Sequence, residues 1–330
     1  MKSYHTPILL RLTSGRLHPL VISLIIVILL VGFLSVIYEL DGIAKIWSNY
    51  KRSAYSITAM AYIVYISRVI QNAHIKQFDR LLEVCQLSEQ AKSDKKDEFL
   101  RHRNLWPESV IAVIVGFGHA YLAILEKVFD QSSQFPYYHS WTGLLIILVW
   151  VIITQSISIY IRNMTQMNSL VDHIEIDLLN LDKLMPLTKA GIVSILAFIG
   201  AYSILFATGI DFGDITNPAI IALVPTIFVM LHRPLKGVRK KIARAKEDEI
   251  KQIDLAIDGD LDALKASRIG SNLKNINVID LINYKKIIQN TLEIPVNIPT
   301  ASRFLFYLII PLLTWIAASV VDKLIDFIIK

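Results

Sequence analysis

Few side chains in this sequence stand where they could do chemistry, and His119 is the first of them. It lies in Gly116-Phe117-Gly118-His119-Ala120, inside an apolar run from about Val110 to Phe129. On a helix Ala112, Gly116, His119 and Ala123 share one face, and Ala112, Gly116 and Ala120 offer the small surface through which helices approach closely. An ionisable group at membrane depth is a candidate proton or ion carrier. The alternative is a neutral imidazole in one interhelical hydrogen bond, worth on the order of 1 kcal/mol. Gln155, with Thr154, Ser156 and Ser158, puts a polar face on a second apolar run, and Asp211 and Asp214 sit in the turn between two more. Acids at such a turn could gather cations at a mouth. His119, Gln155, Asp211 and Asp214 are therefore the candidate pathway residues.

No catalytic constellation accompanies them. The chain has no GxxxxGK[ST], HExxH, GxSxG or CxxC, no kinase set and no TVGYG filter. Ser93-Asp94-Lys95-Lys96 fits SxxK only inside a charged segment, where chance supplies it. Asp172, His173, Glu175 and Asp177 would put hard ligands on one side of an extended segment, but without a partner cluster they read as a polar face. We expect no enzyme activity, no metal and no cofactor. Cys85 is the only cysteine, so no intrachain disulfide forms.

The elements that must carry these residues are membrane spans. Of 330 residues 54% are apolar and 19% charged, with the charges gathered in blocks between long uncharged runs. A net charge of +6 is explained by bases flanking such runs, without nucleic acid as a partner. The densest block is Leu231 to Glu249, where Arg233, Lys236, Arg239, Lys240, Lys241, Arg244 and Lys246 follow an apolar run. It fixes that end on the cytoplasmic side, and Arg233, Lys236, Arg239, Lys240, Lys241 and Arg244 are candidate ligands for anionic lipid headgroups. No Lys or Arg occurs between Val128 and Ile161 or between Ala190 and His232, so the turns inside those ranges are external.

In chain order the pattern predicts an anchor span and short loop over 1–52, and a weak span over Ser53 to Ser67 that runs on into a cytosolic helix within 53–107. The apolar stripe of that continuation is Val69, Ala73, Leu81 and Cys85. A four-span bundle follows over 108–232, with a hairpin broken at Pro218 and Pro225. A basic helical insertion occupies 233–302, near heptad spacing (Leu235, Val238, Ile242, Ala245, Ile253, Ile257, Leu261, Leu264) until Asp258-Gly259-Asp260. A last span and tail, 303–330, end outside.

The expected fold is thus all-α, with six or seven spans and two cytosolic helical insertions. It belongs in a plasma membrane of the bacterial inner-membrane type, among anionic lipids. Stripes on the insertions imply a homo-oligomer or a cytosolic protein partner. A channel or transporter for a small ion is the expected function; a membrane sensor or scaffold transmitting to the cytosolic helices is the alternative.

Overall fold

The computed structural model describes residues 18–43, 47–101, 105–129, 133–207, 218–269, 277–293, 295 and 302; for 47–52, 55, 127, 202–207 and 218–235 it describes the backbone alone. Every regular element among them is helical: α1 Pro19–Leu40, α2 Trp47–Val84, α3 Glu89–Leu100, α4 Trp106–Ala120, α5 Pro136–Leu170, α6 Met185–Ala207, α7 Pro218–Ile257, α8 Leu261–Ala266 and α9 Val278–Asn290. A π turn, Tyr121–Leu125, and a short helix, Glu126–Phe129, prolong α4. Among the described residues four stretches are long and apolar enough to cross a membrane: Pro19–Leu40, Trp106–Leu125, Pro136–His173 and Leu181–Ala201.

Local chemistry sets the helix ends. Pro19 opens α1 where a missing N–H costs nothing. Gly42, at a φ of 65°, closes it: Ile43 N–H donates to Tyr38 O at 2.9 Å and Gly42 N–H to Glu39 O at 3.3 Å. The Asp41 carboxylate then accepts the N–H groups of Tyr137 (3.3 Å) and Tyr138 (2.6 Å). It caps α5, whose own N-cap Phe135 has no side-chain acceptor, and places a negative charge at the positive end of that helix.

Asp41 thereby ties the end of α1 to the start of α5, and α2 leaves from the same level. The contacts of α2 with α5 keep a nearly constant register: Ser53 Oγ lies 3.4 Å from Thr142 Oγ1, Ser67 Oγ lies 3.0 Å from Ser156 Oγ, and Cys85 Sγ–H donates to Leu170 O. The two helices are parallel along their whole shared length. Helices α4 and α6 are antiparallel to them. On α4, Ser109, Gly116 and Leu125 meet Gln155, Ile147 and Gly143 of α5 in turn; a Cβ on Gly116 would lie 3.0 Å from Ile147 Cα, and one on Gly143 2.6 Å from Leu125 Cδ2. On α6, Ala197 O accepts the Tyr62 hydroxyl of α2 at 2.9 Å, and that hydroxyl fills the space beside Gly200.

The buried residues of α2 recur at alternating steps of three and four: Ile57, Met60, Val64, Ser67, Gln71, His74, Phe78, Leu81 and Cys85. A repeat of 3.5 residues keeps one seam facing parallel neighbours. This seam is offset from the apolar stripe expected from sequence, since Val69 is exposed. Leu81 and Cys85 of that stripe do lie on the seam, but polar side chains occupy its middle, so apolar spacing alone found only its basal end.

At the other end of the bundle a basal layer buries a large core. It joins α2 beyond Phe78, the end of α5, the segment Ile174–Leu178, α7 and α9. In that segment Ile174, Ile176 and Leu178 point inward while His173 and Glu175 are exposed, the alternation of an extended chain. Phe99 of α3 stacks on Phe78 at 4.0 Å, and Lys96 pairs with Asp79 at 2.8 Å. Helix α7 starts at Pro218 and runs unbroken through Pro225, where a break had been expected, and through Pro234, to end before Gly259 (φ 101°). Asp260 then caps α8 through Asp262 N–H and Ala263 N–H. The stripe Val238, Ile242, Ile253 is buried within this chain, whereas Leu261 is 70% exposed.

Glu249 holds the basal layer together. Its Oε1 accepts from Ser267 Oγ (2.8 Å), Arg268 N (3.0 Å) and Tyr284 Oη (3.1 Å), so one buried carboxylate joins α7, the end of α8 and α9. Burial and the Glu249 charge push the Tyr284 phenol up to about 12.

Two outcomes follow. With Cys85 replaced by serine, the pairs Ser53→Cys with Thr142→Cys and Ser67→Cys with Ser156→Cys should cross-link with a short bifunctional reagent, and the crossed pair at 53 and 156 should not; an antiparallel α2–α5 pair would reverse this. Glu249→Leu leaves buried donors unpaired and should cost the basal layer roughly 3 kcal/mol. Amide exchange should then rise across 249–290 and stay unchanged across 142–156.

Candidate functional site

The most concentrated buried polar chemistry is a cluster where α2, α5 and α6 meet: Gln71 and His74 of α2, Asn163 of α5 and Ser194 of α6, all buried, His74 and Ser194 completely. The two α2 residues are three apart in the seam, which puts both on the line of contact. Asn163 is the α5 residue level with them, and α6 supplies Ser194 from the other side.

Asn163 Nδ2 donates to Gln71 Oε1 at 2.8 Å and lies 3.1 Å from His74 Nδ1. The Ser194 hydroxyl donates to Ala190 O at 3.0 Å, and His74 Nε2 lies 2.9 Å from Ser194 Oγ and 3.4 Å from Ala190 O. These partners assign a neutral ring: Nδ1 accepts an amide hydrogen, and Nε2–H donates to the serine oxygen. The Tyr160 ring closes one side at 5.9 Å. One turn further along α2, Gln77 Oε1 is buried with no hydrogen-bond partner among the described residues.

The arrangement observed is that of the neutral ring. A second proton on Nδ1 would face the Asn163 amide hydrogens. It is accommodated if the Asn163 amide turns its oxygen to the ring, and Gln71 then turns its own amide to match. A proton on His74 is thus coupled to two amide rotations and a change in the α2–α5 contact. Each member is paired in the arrangement observed, and a missing member leaves buried groups unpaired.

From Ser53 to His74 the seam rises about 32 Å at 1.5 Å per residue, close to the roughly 30 Å of a bilayer's hydrocarbon core. The Ser53–Thr142 pair lies near one end, the His74 cluster lies at the other, and Ser67 with Ser156 lies just above that cluster. Between the two hydroxyl pairs Ile57, Met60, Val64, Leu145 and Val149 are buried, an apolar stretch of the seam.

The residues singled out from sequence are distributed differently. His119 is half-buried between α4 and α5, where its Nδ1 accepts the Trp150 indole N–H at 3.0 Å, edge to face. Gln155 donates to Ser109 Oγ at 3.0 Å, and Ser109 in turn donates to Leu105 O. Both therefore lie on the α4–α5 contact, apart from each other along it. Ala112, Gly116 and Ala120 are buried against α5. Asp211 and Asp214 lie outside the described residues. Lys236, Arg239, Lys240, Lys241 and Arg244 lie on the basal part of α7; the Arg233 side chain is outside the described set. No group of three or more His, Cys, Asp or Glu able to hold a metal occurs among the described residues.

His74 escaped the sequence reading because it follows Arg68 in a charged stretch. The signal was present in the three-four spacing of Ser67, Gln71 and His74, which continues the apolar seam above them.

No protein family model matches this chain, and neither a curated protein nor a solved structure does.

The two imidazoles should respond differently to removal. His74→Leu strands the Asn163 amide in the core and should cost roughly 2–3 kcal/mol. His119→Leu removes one interhelical bond at the bundle edge and should cost about 1 kcal/mol. Thermal unfolding of the purified variants gives the order, and a costlier His119 substitution would contradict this assignment.

Proposed function

We propose that this chain is a membrane channel or transporter for a small ion, with the α2–α5 seam as its path and His74 as the group that receives the ion or its proton. The single observation that carries the reading is the fully buried, fully paired His74 cluster on a seam that otherwise packs like a coiled coil. Buried ionisable groups in a helix bundle are costly and tend to mark ion or proton routes. The apolar stretch above the cluster supplies a barrier of the kind that gates by excluding water.

In this reading the basic end faces the cytosol, as the bases of α7 and Arg162 at the end of α5 favour. Because Ser53–Ser67 lies level with Thr142–Ser156 on a parallel helix, α2 crosses wherever α5 crosses. With α1, α4, α6, α7 and the apolar run Phe304 to Val321, that makes seven spans, and the basal layer comprises the two cytosolic insertions. A homo-oligomer would place the acids of the external turns, Asp211 and Asp214 included, around a common mouth.

A second reading, a sensor or scaffold without transport, has its own support. Helices α2, α5 and α7 pass without interruption from the bundle into the basal core, so a change at His74 is felt at Phe78, Leu81 and Val238. The two readings part in liposomes. The purified protein should dissipate an imposed proton or alkali-cation gradient, and His74→Gln should abolish most of that flux while the fold, checked by circular dichroism and gel filtration, is retained. His119→Gln should leave the pH profile of flux unchanged. Absence of flux under any such gradient would overturn the transport reading in favour of the sensor.

A further inference from the structure

The cations of α7 divide into two sets according to their angle around the helix. At about 100° per residue, Val238, Ile242, Ala245 and Glu249 share the arc that faces the core, and Val238 and Ile242 are fully buried there. Lys241 lies at one edge of that arc. Its ammonium donates to Val171 O and to Ile174 O (2.9 Å), and burial lowers its pKa while Asp172 opposes the shift. Arg239 and Lys246 lie at the other edge: Arg239 pairs with Glu293 at 2.9 Å, and Lys246 donates to Gln289 O and Thr291 O, capping the end of α9.

Lys236, Lys240 and Arg244 fall on the remaining arc. Their spacing of four and four stacks them on one stripe, all three are exposed, and none has an intramolecular ion pair or hydrogen bond among the described residues. Glu247 and Asp248 come next on the same side, one turn beyond Arg244, without an ion pair to it. The edge cations have structural work; the outer three do not.

We infer that Lys236, Lys240 and Arg244 form a binding stripe for the phosphate of an anionic lipid headgroup in the leaflet that α7 leaves. Lys236 stands five residues past Leu231, the end of the apolar run, or about 7 Å along the axis. That is the depth of the headgroup layer, which adds roughly 5–8 Å to each side of the hydrocarbon core. Lys240 and Arg244 follow about 6 and 12 Å below, and their long side chains can reach back to within about one Debye length of the charged surface. Phosphate is the matching ligand because the Lys236 ammonium can bind its oxygens directly while Lys240 and Arg244 add attraction from below. The inference rests on α7 leaving the bilayer at its basic end and not on any ion path, so it stands or falls independently of flux through the His74 seam.

The test uses the full chain in a neutral detergent. Thermal stability is recorded on titration with short-chain phosphatidylglycerol, short-chain phosphatidylcholine, inorganic phosphate and a soluble polyanion such as heparin. Phosphatidylglycerol should stabilise the protein at concentrations where the others do not. Lys236→Gln with Lys240→Gln and Arg244→Gln should weaken that response by about a hundredfold, taking roughly fivefold for each cation near an anionic surface. A variant with the same charge loss elsewhere, Lys95→Gln with Lys265→Gln and Lys286→Gln, should respond as the parent does. Equal stabilisation by both lipids, or a triple stripe variant that still responds, would overturn the inference. So would equal protection by heparin or inorganic phosphate, which would mark a soluble anion as the ligand.

Discussion

The contact between α2 and α5 is the constraint on which the other helices depend. Two long helices lie parallel, and the side chains between them are neither uniformly apolar nor interchangeable. Ser53 must meet Thr142, Ser67 must meet Ser156, and Gln71 with His74 must meet Asn163. A slip of one residue would separate every one of these pairs and leave polar groups buried without partners, at about 1–3 kcal/mol each. The apolar stretch would tolerate many registers, whereas the polar pairs tolerate one. As with a buried polar residue in a coiled coil, specificity comes from the groups that are costly when misplaced.

The remaining helices are arranged by what this pair leaves open. Asp41 links α1 to the start of α5 through a helix cap, so the end of α1 and the start of α5 lie at one level. Helix α4 reaches α5 through Gly116 and Gly143, where any larger side chain would meet backbone or Leu125. Helix α6 reaches α2 where Gly200 makes room for the Tyr62 hydroxyl and Ser194 completes the His74 cluster. In this bundle small residues mark contact sites, and hydrogen bonds choose which contacts form.

Below the bundle the packing changes character. The basal layer buries apolar side chains from α2, α5, α7 and α9 around one carboxylate, and its cations at the core edge satisfy carbonyl oxygens at the ends of neighbouring elements. The continuity of α2 and α7 makes the two layers mechanically one, so the proposed transport and sensor readings draw on the same seam and differ in whether an ion passes along it. The outer cations of α7 are the part of the helix with no role in holding the chain together, which frees them for a ligand.

Much of the architecture was legible in residue order. Four apolar stretches, the basic end of α7, the turn at Asp258-Gly259-Asp260 and the small-residue face of α4 could be read directly, because hydrophobic run length, charge bias and turn chemistry act locally. The continuity of Ser53–Ser67 with the helix beyond it could also be read. What residue order did not disclose was which polar residue lies deepest. His119, within the most apolar surroundings, sits at a bundle edge bonded to Trp150, whereas His74, among charged neighbours in sequence, is sealed between three helices. Burial is a property of the partner surfaces, and those came from α5 and α6, some 90 to 120 residues away. The division of the α7 cations has the same origin: each has the same composition and local setting, and the tertiary structure alone decided which face carbonyls and acids and which face outward.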